Sequence, residues 1–257
     1  MIKLLISIKY PSELERAVRG GADIVDVKEP SRGSLGLPDY SIVKEVLGKI
    51  KRLGIAGVEV SSAGGDVEKV NPYIEYVAYT AASLGVNYFK IGLAARSIED
   101  AREVSLRVSE VLESFNSTRL VLVGYADFPR AGVIEPLKVT EVASDVEADV
   151  VMIDTYVKDG RTTFDFLSTN YLENFVKEAH GNSLLAALAG SLKKQHIVDA
   201  IKLGFDIVGF RGAVCTGGRD GVISEKLVSE LKETIKSHCS CAAGDGVSTT
   251  ALRCARL

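Results

Sequence analysis

The 257-residue sequence contains no apolar run near the roughly 20 residues that cross a bilayer, so it does not read as a helical membrane protein. It also lacks a basic excess. The formal net charge is -3, and the lysines and arginines are scattered, which leaves no footprint for nucleic acid. Small anionic substrates stay open, because local fields can oppose the global charge. Histidine is scarce. His180, His196 and His238 fall on expected helices or the tail, so neither a metal triad nor a histidine base is expected at a strand end. Of four cysteines, Cys239, Cys241 and Cys254 crowd the C-terminus and Cys215 stands apart, a spread that suits reduced thiols rather than a disulfide framework. The HCSC run lacks a second closely spaced pair to complete a metal site, and no GxGxxG follows the first strand to bind a dinucleotide. Met1 to Tyr10 has no basic flank and no cleavage site, so it reads as a strand and makes the cytoplasm the expected compartment.

What is present is a repeat. Four segments share a turn ending in Asp or Asn followed by a short apolar strand: Asp23 then IVDVK, Asn87 then YFKIG, Asp149 then VVMID, and Asp206 then IVGFR. The copies lie about 60 residues apart, twice the length of one strand-plus-helix unit, so they are every second strand. The alternate strands are expected at Lys3 to Ile8, Ile55 to Ser61, Leu120 to Tyr125 and Leu184 to Ala189. Helical periodicity marks Tyr40 to Leu53, Pro72 to Leu84, Ile98 to Phe115, Tyr171 to His180, Lys193 to Leu203 and Glu225 to Ser237. Eight strands alternating with helices predict a single (β/α)8 barrel over residues 1–237, with a short flexible C-terminal tail over 238–257. A doubly wound open sheet is the runner-up.

Alternation along a strand divides each repeat into two faces. Val25, Val27, Phe89, Ile91, Val151, Ile153, Val208 and Phe210 suit packing under the helices. The other face then points Asp26, Lys28, Lys90, Asp154 and Arg211 into the barrel near its C-terminal mouth, where barrel enzymes place their chemistry. Buried charges are costly unless they pair or serve a site. Loops entering the strands are tight, whereas those leaving are long and polar, which puts function on the same rim.

A lysine is a nucleophile only when neutral, and burial beside other cations brings its pKa down. Lys28 and Lys90 come from different strands, and Lys158 stands just beyond Asp154. Repulsion among the three lowers at least one pKa, while Asp26 and Asp154 relay protons or keep the other lysines charged. That set suits imine chemistry. The turns Ala189-Gly190-Ser191 and Arg211-Gly212-Ala213 stand where barrels often bind phosphate, with Arg211 as an anion partner and Arg130 as a second cation.

The segments GGADIVDVKEP with GSLG, YFKIGL, GYAD, VMIDTYVKDG, FDF, ALAGSL and GFRGAVC together resemble the (5-formylfuran-3-yl)methyl phosphate synthases of methanofuran biosynthesis, over about Leu4 to Leu231. VEVSSAGGDV departs from that pattern, and Arg32 stands where an acidic residue is common. The resemblance implies a lyase that condenses two glyceraldehyde 3-phosphate molecules to a phosphorylated hydroxymethyl-furancarboxaldehyde with loss of phosphate and water. It implies that Lys28 forms a Schiff base, that Lys90 accepts a proton, and that Asp154 and Lys158 assist proton transfer. Asp127, in the matching GYAD, is expected at the substrate together with Arg130. No cofactor or metal is implied. The expected partners are a triose phosphate and further copies of the chain in a homo-oligomer. Another class I aldolase, a triose-phosphate isomerase, or a non-catalytic phosphometabolite sensor are the alternatives.

Overall fold

The Asp or Asn that opens each repeat accepts a hydrogen bond from the second residue of the strand before it, at 2.7–2.9 Å, in the computed structural model, which describes residues 2–241. The donors are the Leu4, Val60, Leu120 and Ala186 amides, and the acceptors are Asp23, Asn87, Asp149 and Asp206. Each acceptor therefore ties the start of one strand to the start of the next, and this requirement repeats with every second strand.

The strands are β1 (Lys3–Ile8), β2 (Ile24–Val27), β3 (Glu59–Val67), β4 (Tyr88–Leu93), β5 (Arg119–Tyr125), β6 (Val150–Asp154), β7 (Leu185–Leu188) and β8 (Ile207–Phe210). All pair in parallel in chain order, and β8 closes onto β1, giving the expected (β/α)8 barrel. Around it lie α1 (Leu14–Arg19), α2 (Tyr40–Leu53), α3 (Ile74–Leu84), α4 (Ile98–Leu112), α5 (Phe128–Ala131), α6 (Pro136–Asp145), α7 (Thr163–Phe166), α8 (Thr169–Gly181), α9 (His196–Leu203) and α10 (Glu225–Cys241). A small antiparallel pair, β9 (Cys215–Thr216) with β10 (Val222–Ile223), follows β8. No helix among the described residues is long and apolar enough to cross a membrane. Helix α10 runs past Ser237 to Cys241, and the rest of the expected tail, including Cys254, lies outside the described residues.

The strand parity holds. Val25, Val27, Phe89, Ile91, Val151, Ile153, Val208 and Phe210 join the large core between sheet and helices, while Leu5, Ile24, Val121, Val150, Met152, Ala187 and Ile207 fill the barrel. One strand differs from expectation. Residues 55–58 lie outside the strand, with Gly57 in left-handed backbone at φ +77, so β3 starts at Glu59 and continues through Gly64 and Gly65 to Val67. A bulge between Ala63 and Asp66 turns Asp66 toward the barrel mouth.

Candidate active site

In the register of β1, β2 and β3, Ser7, Asp26 and Ser61 stand side by side. The fully buried Asp26 carboxylate accepts from Ser7 Oγ at 2.8 Å and Ser61 Oγ at 2.9 Å, and it pairs with Lys90 Nζ at 2.9 Å. Burial pushes the Asp26 carboxyl up, but the charges of Lys90 and Lys28 outweigh it and hold the group below the usual carboxylate range. Asp26 lies below the cavity and anchors Lys90.

Above this layer a cavity of about 330 Å³ is bordered by Lys28, Lys90, Asp154, Lys158, Gly190, Ser191, Lys193, Arg211, Gly212 and Arg219. Lys158 pairs with Asp154 and also donates to Thr155 Oγ1 at 3.1 Å. The Asp154 carboxyl is raised by burial but lowered further by Lys158 and Lys28, to about 2. Burial drives the Lys158 amine down, and Asp154 opposes the change.

Lys28 differs from the other two lysines. Its Nζ makes a long hydrogen bond of 3.4 Å to the Ser34 carbonyl rather than an ion pair. Burial is the main force that lowers its pKa to about 8; Lys90 and Lys158 add to the shift, while Asp154 and Asp26 resist it. A buried amine of this kind is partly neutral near physiological pH and faces an open cavity, as imine formation requires.

Gly190 and Ser191 border the cavity in left-handed backbone, at φ +98 and +49. A Cβ at Gly190 would stand 2.1 Å from Thr163 Oγ1, so glycine is required there. Gly212 also borders the cavity, beyond β8.

Three residues expected on the substrate are engaged elsewhere. Arg211 reaches the cavity wall, but its Nη1 pairs with the buried Glu13 at 2.8 Å and donates to Ser7 O. Its Nε and Nη2 donate to the Arg219 and Gly221 carbonyls at 3.1 and 3.0 Å, so its guanidinium is already occupied by protein oxygens. The Asp127 carboxylate accepts from the Tyr156 and Val157 amides at 2.6 and 2.9 Å, and Arg130 pairs with Asp159 at 2.6 Å. Asp127 and Arg130 are absent from the cavity wall and hold the 155–160 loop that carries Lys158.

Arg219 and Asp66 were not expected from the sequence. Arg219 borders the cavity and donates to Gly33 O at 3.4 Å. Asp66 accepts from the Ser34 and Leu35 amides and from Tyr125 Oη. Among the described residues no group of three or more His, Cys, Asp or Glu is placed to hold a metal ion.

The solved structures most like this one in shape include 3-hexulose-6-phosphate synthase from Salmonella typhimurium, with a TM-score of 0.63, 14% identity, and coverage of 92% of this chain and 100% of that one. At that identity the likeness concerns the fold alone. Sequence comparison is more specific. A relative from Methanocaldococcus jannaschii, named (5-formylfuran-3-yl)methyl phosphate synthase, is 42% identical over 237 residues, or 91% of this chain and 99% of its own. One of the same name from Methanobrevibacter smithii is 39% identical over 241 residues, 92% of this chain and all of its own. The family described as 4-HFC-P synthase matches residues 4–232, and the chain belongs to that family.

Proposed function

We propose that this protein condenses two glyceraldehyde 3-phosphate molecules to a furancarboxaldehyde phosphate through a Schiff base on Lys28. The observation that carries the reading is the contrast among three lysines at the cavity wall: Lys90 and Lys158 have carboxylate partners, while Lys28 has a carbonyl at 3.4 Å and a pKa of about 8. Attack of the neutral amine on the aldehyde carbon gives a carbinolamine, which loses water to the imine. The imine acidifies the adjacent carbon, so removal of its proton gives an enamine. From there carbon–carbon bond formation with the second aldehyde, β-elimination of one phosphate, closure of the furan ring with loss of water, and hydrolysis of the imine release the aldehyde and return Lys28 as the free amine.

Asp154 and Lys158, held together at the cavity wall, are suited to hand protons to the carbinolamine oxygen and the departing phosphate. Lys90, fixed by Asp26 from below, borders the same cavity as Lys28 and is the proton acceptor of this reading. Lys193, Arg219 and the Gly190-Ser191 and Gly212 turns supply the anion-binding wall. The reading places the protein among lyases of the cytoplasm that act on a phosphorylated triose.

Incubation with glyceraldehyde 3-phosphate, followed by mass analysis, tests this. A furan aldehyde phosphate with inorganic phosphate released is the expected product. Dihydroxyacetone phosphate, or a six-carbon bisphosphate with no phosphate released, would instead mark an isomerase or an aldolase.

A further inference from the structure

Residues 29–36 leave β2 and form a closed loop, whose neck is tied by Glu29 N donating to Gly36 O at 2.9 Å. The tip turns inward. Leu35 is fully buried and joins the cluster that fills the barrel, while Ser34 Oγ donates to Thr155 O at 2.8 Å. One carboxylate holds the tip: Asp66 accepts from Ser34 N at 2.7 Å, from Leu35 N at 3.1 Å, and from the fully buried Tyr125 hydroxyl. Two glycines make room for it. A Cβ at Gly33 would lie 2.3 Å from Asp66 Oδ2, and one at Gly92 would lie 1.8 Å from Tyr125 Oη.

We infer that Asp66 is a positioning residue for Lys28: it seats the loop tip so that the Ser34 carbonyl takes a hydrogen of the Lys28 amine while Leu35 seals that side of the barrel mouth. This rests on the reading of Lys28 as the reacting amine. A neutral amine has two hydrogens and one lone pair, so fixing a hydrogen on Ser34 O restricts where the lone pair points. The seated loop also keeps water from the amine, and desolvation is the main cause of its lowered pKa.

The groups facing Lys28 are Asp154, Lys90, Lys158 and Asp26, and those acting around Asp66 are Tyr125, Tyr156, Lys158 and Arg219. Replacing Asp66 removes none of these groups, but it takes a negative charge from beside Tyr125, Tyr156, Lys158 and Arg219. Loss of its negative charge alone would lower the Lys28 pKa, whereas release of the loop and hydration of the amine raises it. The sign of the change therefore separates a positioning role from a direct electrostatic one.

The experiment is reductive trapping with glyceraldehyde 3-phosphate and cyanoborohydride across pH, with the Lys28 peptide quantified by mass, in wild type, Asp66→Ala, Asp66→Asn and Tyr125→Phe. The expected result is a Lys28 adduct in wild type and a midpoint raised by about one pH unit in Asp66→Ala, which is roughly tenfold less neutral amine at pH 7. A smaller rise is expected in Asp66→Asn and Tyr125→Phe, which decide the matter if Asp66→Ala does not fold. A wild-type adduct with midpoints unchanged or lowered in the folded variants overturns the inference and leaves the Lys28 reading intact. No adduct at Lys28 in wild type overturns both.

Discussion

Lys90 Nζ lies 2.9 Å from Asp26 Oδ1 with neither side chain reaching solvent, so this ion pair is the buried support on which the reactive layer rests. Removing one partner of such a pair strands the other charge. Asp26→Ala is therefore expected to destabilise the barrel by about 3–5 kcal/mol, read by urea unfolding at pH 7. The depressed Asp26 pKa means that its stabilisation is present above the unfolded carboxyl value and is lost as pH falls through the folded one. Wild type and variant should accordingly converge in acid. A variant as stable as wild type at pH 7 would show that Asp26 does not support Lys90.

Lys28 works in the opposite sense. Its pKa drops from the ordinary 10.5 to about 8, so below pH 8 the folded state carries a buried charge that the unfolded state keeps in water. That cost fades as pH rises from 8 to 10.5. Lys28→Met is expected to abolish the borohydride adduct yet raise stability at pH 7 by about 1–3 kcal/mol. An adduct at full yield, or a less stable variant, contradicts this account.

The neighbours of Lys28 pull on it with opposite signs. Lys158→Met removes a repelling charge and should move the pH midpoint of adduct formation up; Asp154→Asn removes an attracting one and should move it down. Shifts of roughly half a unit to one unit are expected. Two shifts of the same sign would mean that rearrangement, not charge, controls the amine.

Much of this site was legible because side chains alternate strictly along a strand, which placed Asp26, Lys90 and Asp154 on the inner face. Parity fixes where a Cβ points but not where a long side chain ends. Arg211 shows the difference, since its guanidinium turns to Glu13 and to the carbonyls of the β9–β10 hairpin. Glu13 lies far away in sequence, so nothing local announces the pair. Asp66 was hidden because parity counted from Ser61 fails at the Ala63/Asp66 bulge. Helix α6, opened by Pro136, was missed for another reason: its buried Val139, Val142 and Ala143 form too short an apolar stripe to stand out from the long loop before it.

Gly190 and Gly132 provide a matched pair, both at positive φ, +98 and +69. A Cβ at Gly190 would meet Thr163 Oγ1 at 2.1 Å, whereas nothing lies within 4 Å at Gly132. Gly132→Ala should cost about 1 kcal/mol from backbone strain alone. Gly190→Ala should cost more in thermal unfolding and also raise KM severalfold, because the turn at the anion-binding wall must move. Equal costs with unchanged KM would remove Gly190 from the substrate wall.

The two arginines after β8 divide stability from binding. Arg211 is buried against Glu13, so Arg211→Ala strands a carboxylate and is expected to lose about 3–5 kcal/mol of stability. Glu13 also accepts from the Lys9 amide at 2.7 Å, which places the loss at the lower end of that range. Arg219 is half exposed at the cavity, with one long bond to Gly33 O, so Arg219→Ala should leave thermal unfolding nearly unchanged. On the proposed reading its removal takes away a charge-assisted partner for phosphate, worth about 1.5–3 kcal/mol, or a rise in KM of roughly tenfold to a hundredfold. Measuring unfolding and saturation on both variants gives four values. If Arg211→Ala unfolds like wild type but saturates poorly, the phosphate contact belongs to Arg211, and its pairing with Glu13 must break when substrate binds.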